Sequence, residues 1–173
     1  MPKSVMRIGD WVEDYELMVV NRTGGALVVG TIYKLDVAGT DGDVNTYATY
    51  IADTTPDPKA SPLANIIAVG ANTADESGIF VVALATTAND EVGRVKLAGL
   101  VKVLATAGDG SSDAITAGEV IQAVASAGTA SKYATGLGAV GLALESGDTA
   151  AATKLIWCIF DGRAYNAPNV GTV

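Results

Sequence analysis

The sequence contains no histidine and a single cysteine, Cys158. Without an imidazole there is no Ser-His-Asp or Cys-His relay, no histidine ligand for zinc or copper, and no proton shuttle near neutral pH. One thiol can form neither an internal disulfide nor a thiolate cluster. Aromatic side chains are scarce, with 2 Phe, 2 Trp and 6 Tyr among 173 residues, so a core must be assembled from Val, Leu, Ile and Ala. Charged residues are only 17%, and the basic ones are the minority, 11 against 19 acidic, which leaves a net charge of −8. That balance repels phosphate backbones and argues against a nucleic-acid partner. Long apolar runs are missing too. Runs such as Leu155-Ile156-Trp157-Cys158-Ile159-Phe160 fall far short of the ~20 residues of a membrane-spanning helix, and Met1 to Arg7 has no run of signal-peptide length. The expectation is a chain with no membrane partner and no signal peptide.

What the chain does have is a 49% hydrophobic content and 20 glycines. A domain of this length buries roughly two-thirds of its unfolded surface and needs neither metal nor disulfide to fold. Val95 to Leu104 mixes lysines with branched residues, as in a half-buried strand. Leu155 to Phe160 is apolar at both parities, which predicts a strand covered by the core on one face and by a layer or neighbouring subunit on the other. Further strands are predicted at Ala26–Val29 running on through Thr31–Leu35, at Ile79–Leu84 and at Val140–Leu144, separated by Gly/Asp turns. This pattern predicts an all-β fold, a compact β-barrel or β-sandwich with at most one or two short helices. One helix is expected at Ser61–Ile67, where Ser precedes Pro at the first helical position, with a strand over Asn65–Val69 as the alternative.

The chain also echoes itself. Val82-Ala83-Leu84 and Leu142-Ala143-Leu144 lie sixty residues apart, and at the same offset Arg94 meets Lys154, Val95 meets Leu155 and Leu100 meets Phe160. Upstream, Val29-Gly30-Thr31-Ile32-Tyr33 matches Ala117-Gly118-Glu119-Val120-Ile121 at an offset of eighty-eight. The echo reads as two related β units, about 26–104 and 114–162, with the extra twenty-eight residues in an excursion at about 39–77. It also settles Glu119–Val124 as a strand, since its counterpart is rich in β-formers. The expected organisation is an N-terminal arm 1–22, a single β domain 23–162 and a C-terminal tail 163–173.

No motif assembles a reaction centre. Gly136-Leu137-Gly138-Ala139-Val140-Gly141 spells a dinucleotide fingerprint, with Asp161 twenty residues on. The expected buried strand before it and long helix after it are missing, so it reads as a glycine-rich approach to a strand. Asp41-Gly42-Asp43-Val44-Asn45 opens like a calcium loop but has Thr46 where glycine is needed and Ala52 where a bidentate Glu is needed, and Asp109 to Asp113 fails in the same way. Neither cofactor nor metal is expected. Glu13, Asp14 and Glu16 read as solvated or partner-facing charges, and Cys158 as a small core hydrophobe. In the first arm Trp11, Val12, Tyr15 and Leu17 are candidate partner contacts, either tucked onto their own domain or docked on another chain. Leu155, Trp157 and Ile159 are candidates for an intersubunit strand.

A glycine-led strand (Ala117-Gly118-Glu119-Val120), a loop of small residues, Gly138 to Glu145 and a final apolar strand together resemble the head decoration, or cement, proteins of tailed bacteriophages. The same outline recurs in Val29–Ile32 with Gly78–Leu104. The resemblance implies a small, non-enzymatic β protein, made in the host cytoplasm and assembled as a homotrimer on the outer capsid surface of the virion. Its partner would be the major capsid protein, and its function capsid stabilisation by bridging capsomers. Two alternatives are the base domain of a head fibre or a receptor- or glycan-binding accessory, and a carboxylate-dependent hydrolase.

Overall fold

A computed structural model describes residues 14–35, 64–67, 79–106, 114–124, 127–133, 139–147 and 153–162. It is all-β, and no helix occurs among the described residues. Nine strands form one continuous sheet: β1 (Tyr15–Asn21), β2 (Ile32–Leu35), β3 (Ala64–Ile67), β4 (Phe80–Ala83), β5 (Val92–Ala105), β6 (Val120–Ala123), β7 (Ala130–Lys132), β8 (Ala139–Ala143) and β9 (Lys154–Asp161). The order β1-β3-β2-β4-β5 closes on itself through β1–β5 pairing, which makes a five-stranded barrel. The remaining strands run β5-β7-β6-β8-β9 and return to β5 through a long antiparallel ladder from Ala98↔Asp161 to Ala105↔Lys154. This second ring is stitched at its β5–β7 corner by the single pair Ala105↔Ala130.

The two rings share connectivity. β1 runs parallel to β3 and antiparallel to β5, while β5 runs parallel to β7 and antiparallel to β9. β5 is therefore the last strand of one ring and the first of the next. Its first half pairs with β1 and β4, and its second half pairs with β9. The handover falls at Gly99, whose φ of 121° is a backbone conformation that side chains oppose.

The sequence echo has a physical counterpart in each ring. Thr31 donates to the Val28 carbonyl across Gly30 (φ 80°), and Glu119 donates to the Thr116 carbonyl across Gly118 (φ 92°). Both are type II turns, which need positive φ at the third residue. Gly30 then donates to the Ala83 carbonyl, as Gly118 does to that of Ala143. The ladders Ile32↔Val82 and Val120↔Leu142 match at both offsets. In the last strand the match slips. Leu84 donates to Arg94 but Leu144 donates to Trp157, so the structural counterpart of Arg94 is Trp157 and not Lys154.

Three expectations are corrected. The strand expected from Ala26 does not run on into β2. The type II turn at Val28–Thr31 breaks it and leaves only an isolated bridge, Leu27↔Thr87. The helix expected at Ser61–Ile67 is replaced over Ala64–Ile67 by β3, because backbone partners on both sides, β1 and β2, outweigh a local capping signal. Seven residues of the expected N-terminal arm are also strand: Tyr15–Asn21 is β1, held on both edges, with Val19, Val20 and Asn21 buried. The tail 163–173 and residues 39–63 and 68–77 of the excursion lie outside the described residues.

Two apolar clusters fill the rings. Val19, Leu27, Tyr33, Leu35, Ile66, Val81, Ala83 and Val95 pack inside the first. Val101, Val103, Ile121, Val140, Ile156, Cys158 and Phe160 pack inside the second, joined by Ile32, Phe80 and Val82 from the outer faces of β2 and β4. Within one chain the strand buried on both faces is β4, while β9 is buried on its inner face and open on its outer one. Backbone bonds tie the seam: Ile32 N–H to the Gly128 carbonyl, Phe80 N–H to that of Gly162, and Gly162 N–H to that of Leu97.

Candidate interaction surfaces

β9 alternates cleanly. Ile156, Cys158 and Phe160 point into the second ring, while Leu155 and Trp157 are exposed and Ile159 is half-buried on the outer face. The register extends this face sideways. Val120 of β6 lies opposite Leu142 of β8, Leu142 opposite Ile159, and Ile159 opposite Leu100 of β5. All but Ile159 are exposed, so a row of large apolar side chains crosses four strands, with Trp157 and Leu155 beside it. The Lys102 ammonium lies 5.3 Å from the centre of the Trp157 ring, a cation–π contact that fixes the indole on the surface. Sequence reasoning found Leu155, Trp157 and Ile159 and missed Leu100, Val120 and Leu142. The last three sit at ordinary outward parity within their own strands, and only the pairing brings them together.

The first ring treats its outer face differently. Lys96 is almost fully buried and makes ion pairs with Asp14 and, at 3.1 Å, with Glu16, which also pairs with Arg94. Burial alone would lower the Lys96 pKa, but the hydrogen bonds and charges of Asp14 and Glu16 outweigh it and hold it above its ordinary value. Hydrogen bonds from Arg94 and then Lys96 hold Glu16 below the usual carboxylate range, and Lys132 and the Thr116 amide do the same for Glu119. A raised lysine stabilises the fold fully below its unfolded pKa and is lost as pH rises through the folded one. Lowered carboxylates contribute above theirs and are lost on acidification. Stability should therefore hold level between about pH 5 and pH 10 and fall on both sides. Urea midpoints across that range check this, and continued gain below pH 4 would contradict it.

Of the arm candidates, Trp11 and Val12 lie outside the described residues. Tyr15 is exposed at the start of β1, and Leu17 points inward against the first ring's core, so it packs there and leaves Tyr15 and Met18 as the exposed large apolar side chains of the strand. Asn21, although it stands in an Asn-Arg-Thr sequon, is fully buried. Its amide donates to the carbonyls of Gly25, Thr87 and Ala88, and its oxygen accepts from Thr23, so it ties two turns together.

Cys158 is sealed in the second ring's core, where burial pushes its thiol up to about 12. It should resist iodoacetamide in the folded protein and react promptly in guanidinium. Fast labelling of the native chain would show that the core opens. Of the dinucleotide-like motif, Gly141 belongs to β8, so a strand stands where pyrophosphate binding needs a helix, while residues 136–138 lie outside the described residues. The candidate calcium turns lie outside them as well. No group of three or more potential metal-ligating side chains occurs among the described residues. A shallow groove at the seam is lined by Thr31, Tyr33, Leu104 and Gly128 among others, and the Tyr33 hydroxyl there accepts the Val28 N–H.

The molecule is thus a tandem β-barrel with an apolar outer sheet face on its second ring. No protein-family model matches the chain, and no curated protein does either. Among solved structures, the N base of the head fibre gp8.5 of bacteriophage phi29 is similar over 89% of this chain and 99% of that chain, with 14% identity and a TM-score of 0.47.

Proposed function

We propose that this chain is a structural virion protein that binds the outer surface of a phage capsid and stabilises the mature head by bridging capsomers, as a closed homotrimer. The observation that carries the reading is the apolar row across β6, β8, β9 and β5, set on a double ring of strands. It adds to the resemblance of the repeated glycine-led strand pattern to decoration proteins. Such a function asks for contact area and no covalent chemistry. Each copy held by its neighbours meets the next capsid site at high local concentration, so modest contacts with the major capsid protein sum to firm attachment.

The test adds purified chain to heads stripped of it. Copies imaged on the outside, with a higher rupture temperature, support the proposal, and failure to bind those heads ends it. Because β1 closes the first ring, the arm is best probed by removing residues 1–13 and not 1–20. That variant should fold and, if Trp11 and Val12 dock on the capsid, attach weakly.

A head-fibre base or receptor-binding accessory is the second reading, favoured by the unequal loops. Twenty-eight residues separate β2 from β3 where six separate β6 from β7. β3 lies within the expected excursion and its Ile66 is fully buried, so the deletion that isolates a recognition role is 39–60. Loss of host or glycan binding with head attachment intact would favour this reading.

A further inference from the structure

The two rings supply an internal control for each other's surfaces. Superposing their ladders sets Glu16 and Lys96 of the first ring against Leu100 and Ile159 of the second, because Glu16↔Lys96 and Leu100↔Ile159 are equivalent pairs. Met18↔Arg94 corresponds in the same way to Lys102↔Trp157, and Val20↔Val92 to Leu104↔Leu155. Where the first ring carries the ion-paired Glu16, Arg94 and Lys96, the second carries Leu100, Trp157 and Ile159, while Met18, Val20 and Val92 keep the rest of the first ring's row apolar. We infer that the outer face of the second ring is where copies of this chain meet, with Leu100, Leu142, Leu155, Trp157 and Ile159 at the centre of the contact.

Three observations favour a second copy as the occupant. β9 is paired along both edges, so the face offers no free strand for an extended peptide to join. It is a sheet surface at least four strands wide, suited to another sheet surface. The exposed apolar area is on the order of 400 Å², about half of the ~800 Å² that each partner buries in a standard interface, which leaves the remainder to a polar rim. Beside the row stand Lys102, whose ammonium lies over the Trp157 ring, and Glu145, whose carboxylate accepts the Trp157 N–H. Two acidic chains can therefore approach here without opposing like charges at every point.

The inference rests on the self-association part of the proposed function but not on the capsid. Sedimentation equilibrium of the full chain tests it, with Leu142→Glu and Leu155→Glu as face variants and Met18→Glu on the first ring as control. Wild type and Met18→Glu should assemble at micromolar concentration. The face variants, folded by circular dichroism, should be monomeric or assemble at least about 100-fold more weakly. A wild type that stays monomeric to about 200 μM overturns the inference, as does a folded face variant that assembles like wild type. If both face variants fail to fold, protection of the Leu142 and Trp157 amides from exchange at high against low wild-type concentration decides, and unchanged exchange overturns it. Assembly without head binding would remove the capsid reading and leave this one standing, while head binding by a monomeric wild type would do the reverse.

Discussion

Gly162→Ala is expected to lose the native fold or to melt about 10–15 °C below wild type. A methyl group at that position would lie 1.7 Å from the Phe80 carbonyl oxygen and 2.5 Å from its carbon. Both are main-chain atoms of a strand buried on both faces, so neither can swing aside. Gly162 also gives its N–H to the Leu97 carbonyl and takes the Phe80 N–H, and any shift that relieves the overlap breaks one or both bonds. Overpacking together with two compromised buried hydrogen bonds costs about 3–5 kcal/mol, out of the 5–15 kcal/mol that hold a domain together. Gly25→Ala is the control, because nothing lies within 4 Å of its added carbon. Thermal melts of the two variants side by side make the measurement, and equal midpoints would refute the account of the seam.

Phe80→Ala is the second large effect. The ring is nearly inaccessible and reaches from β4, a strand of the first barrel, into the core of the second. Truncation leaves a cavity in a close-packed interior and costs about 3–5 kcal/mol. Its signature is where the loss appears. Amide exchange should rise at Val103 and Ile156, in strands that line the second barrel, as well as at β4 itself. An increase confined to β2, β3 and β4 would show that the ring serves only its own barrel.

Much of the strand content was legible in the sequence because β-branched runs and Gly/Asp turns are local signals. So was the duplication, since a type II turn demands glycine at the same place in each copy and leaves Gly30 and Gly118 as visible markers. The three-residue slip between Arg94 and Trp157 was not legible. In a chain rich in Val, Leu and Ala, a false alignment of Val95 with Leu155 looks as good as the true one with Cys158. β3 was left between helix and strand for a different reason: a helix-start signal stands just upstream of its four residues, and only pairing partners far away in the chain decide its conformation. Leu17 stood among the candidate partner contacts because a strand embedded among charges resembles an arm until its neighbours are known. For the apolar row on the second ring's outer face, half of the side chains were evident from one apolar run. Leu100, Val120 and Leu142 come from three separate strands, and no spacing within a single strand can reveal a row that runs across them.

The strand shared by both barrels sets a growth rule for this architecture. A first barrel needs five strands, but the second needs only four more, and a third could be built on β9 for another four. The same economy forbids a clean cut. Neither barrel can be excised as an autonomous piece unless each fragment keeps its own copy of residues 92–105, so any attempt to dissect the molecule by halves must duplicate that stretch.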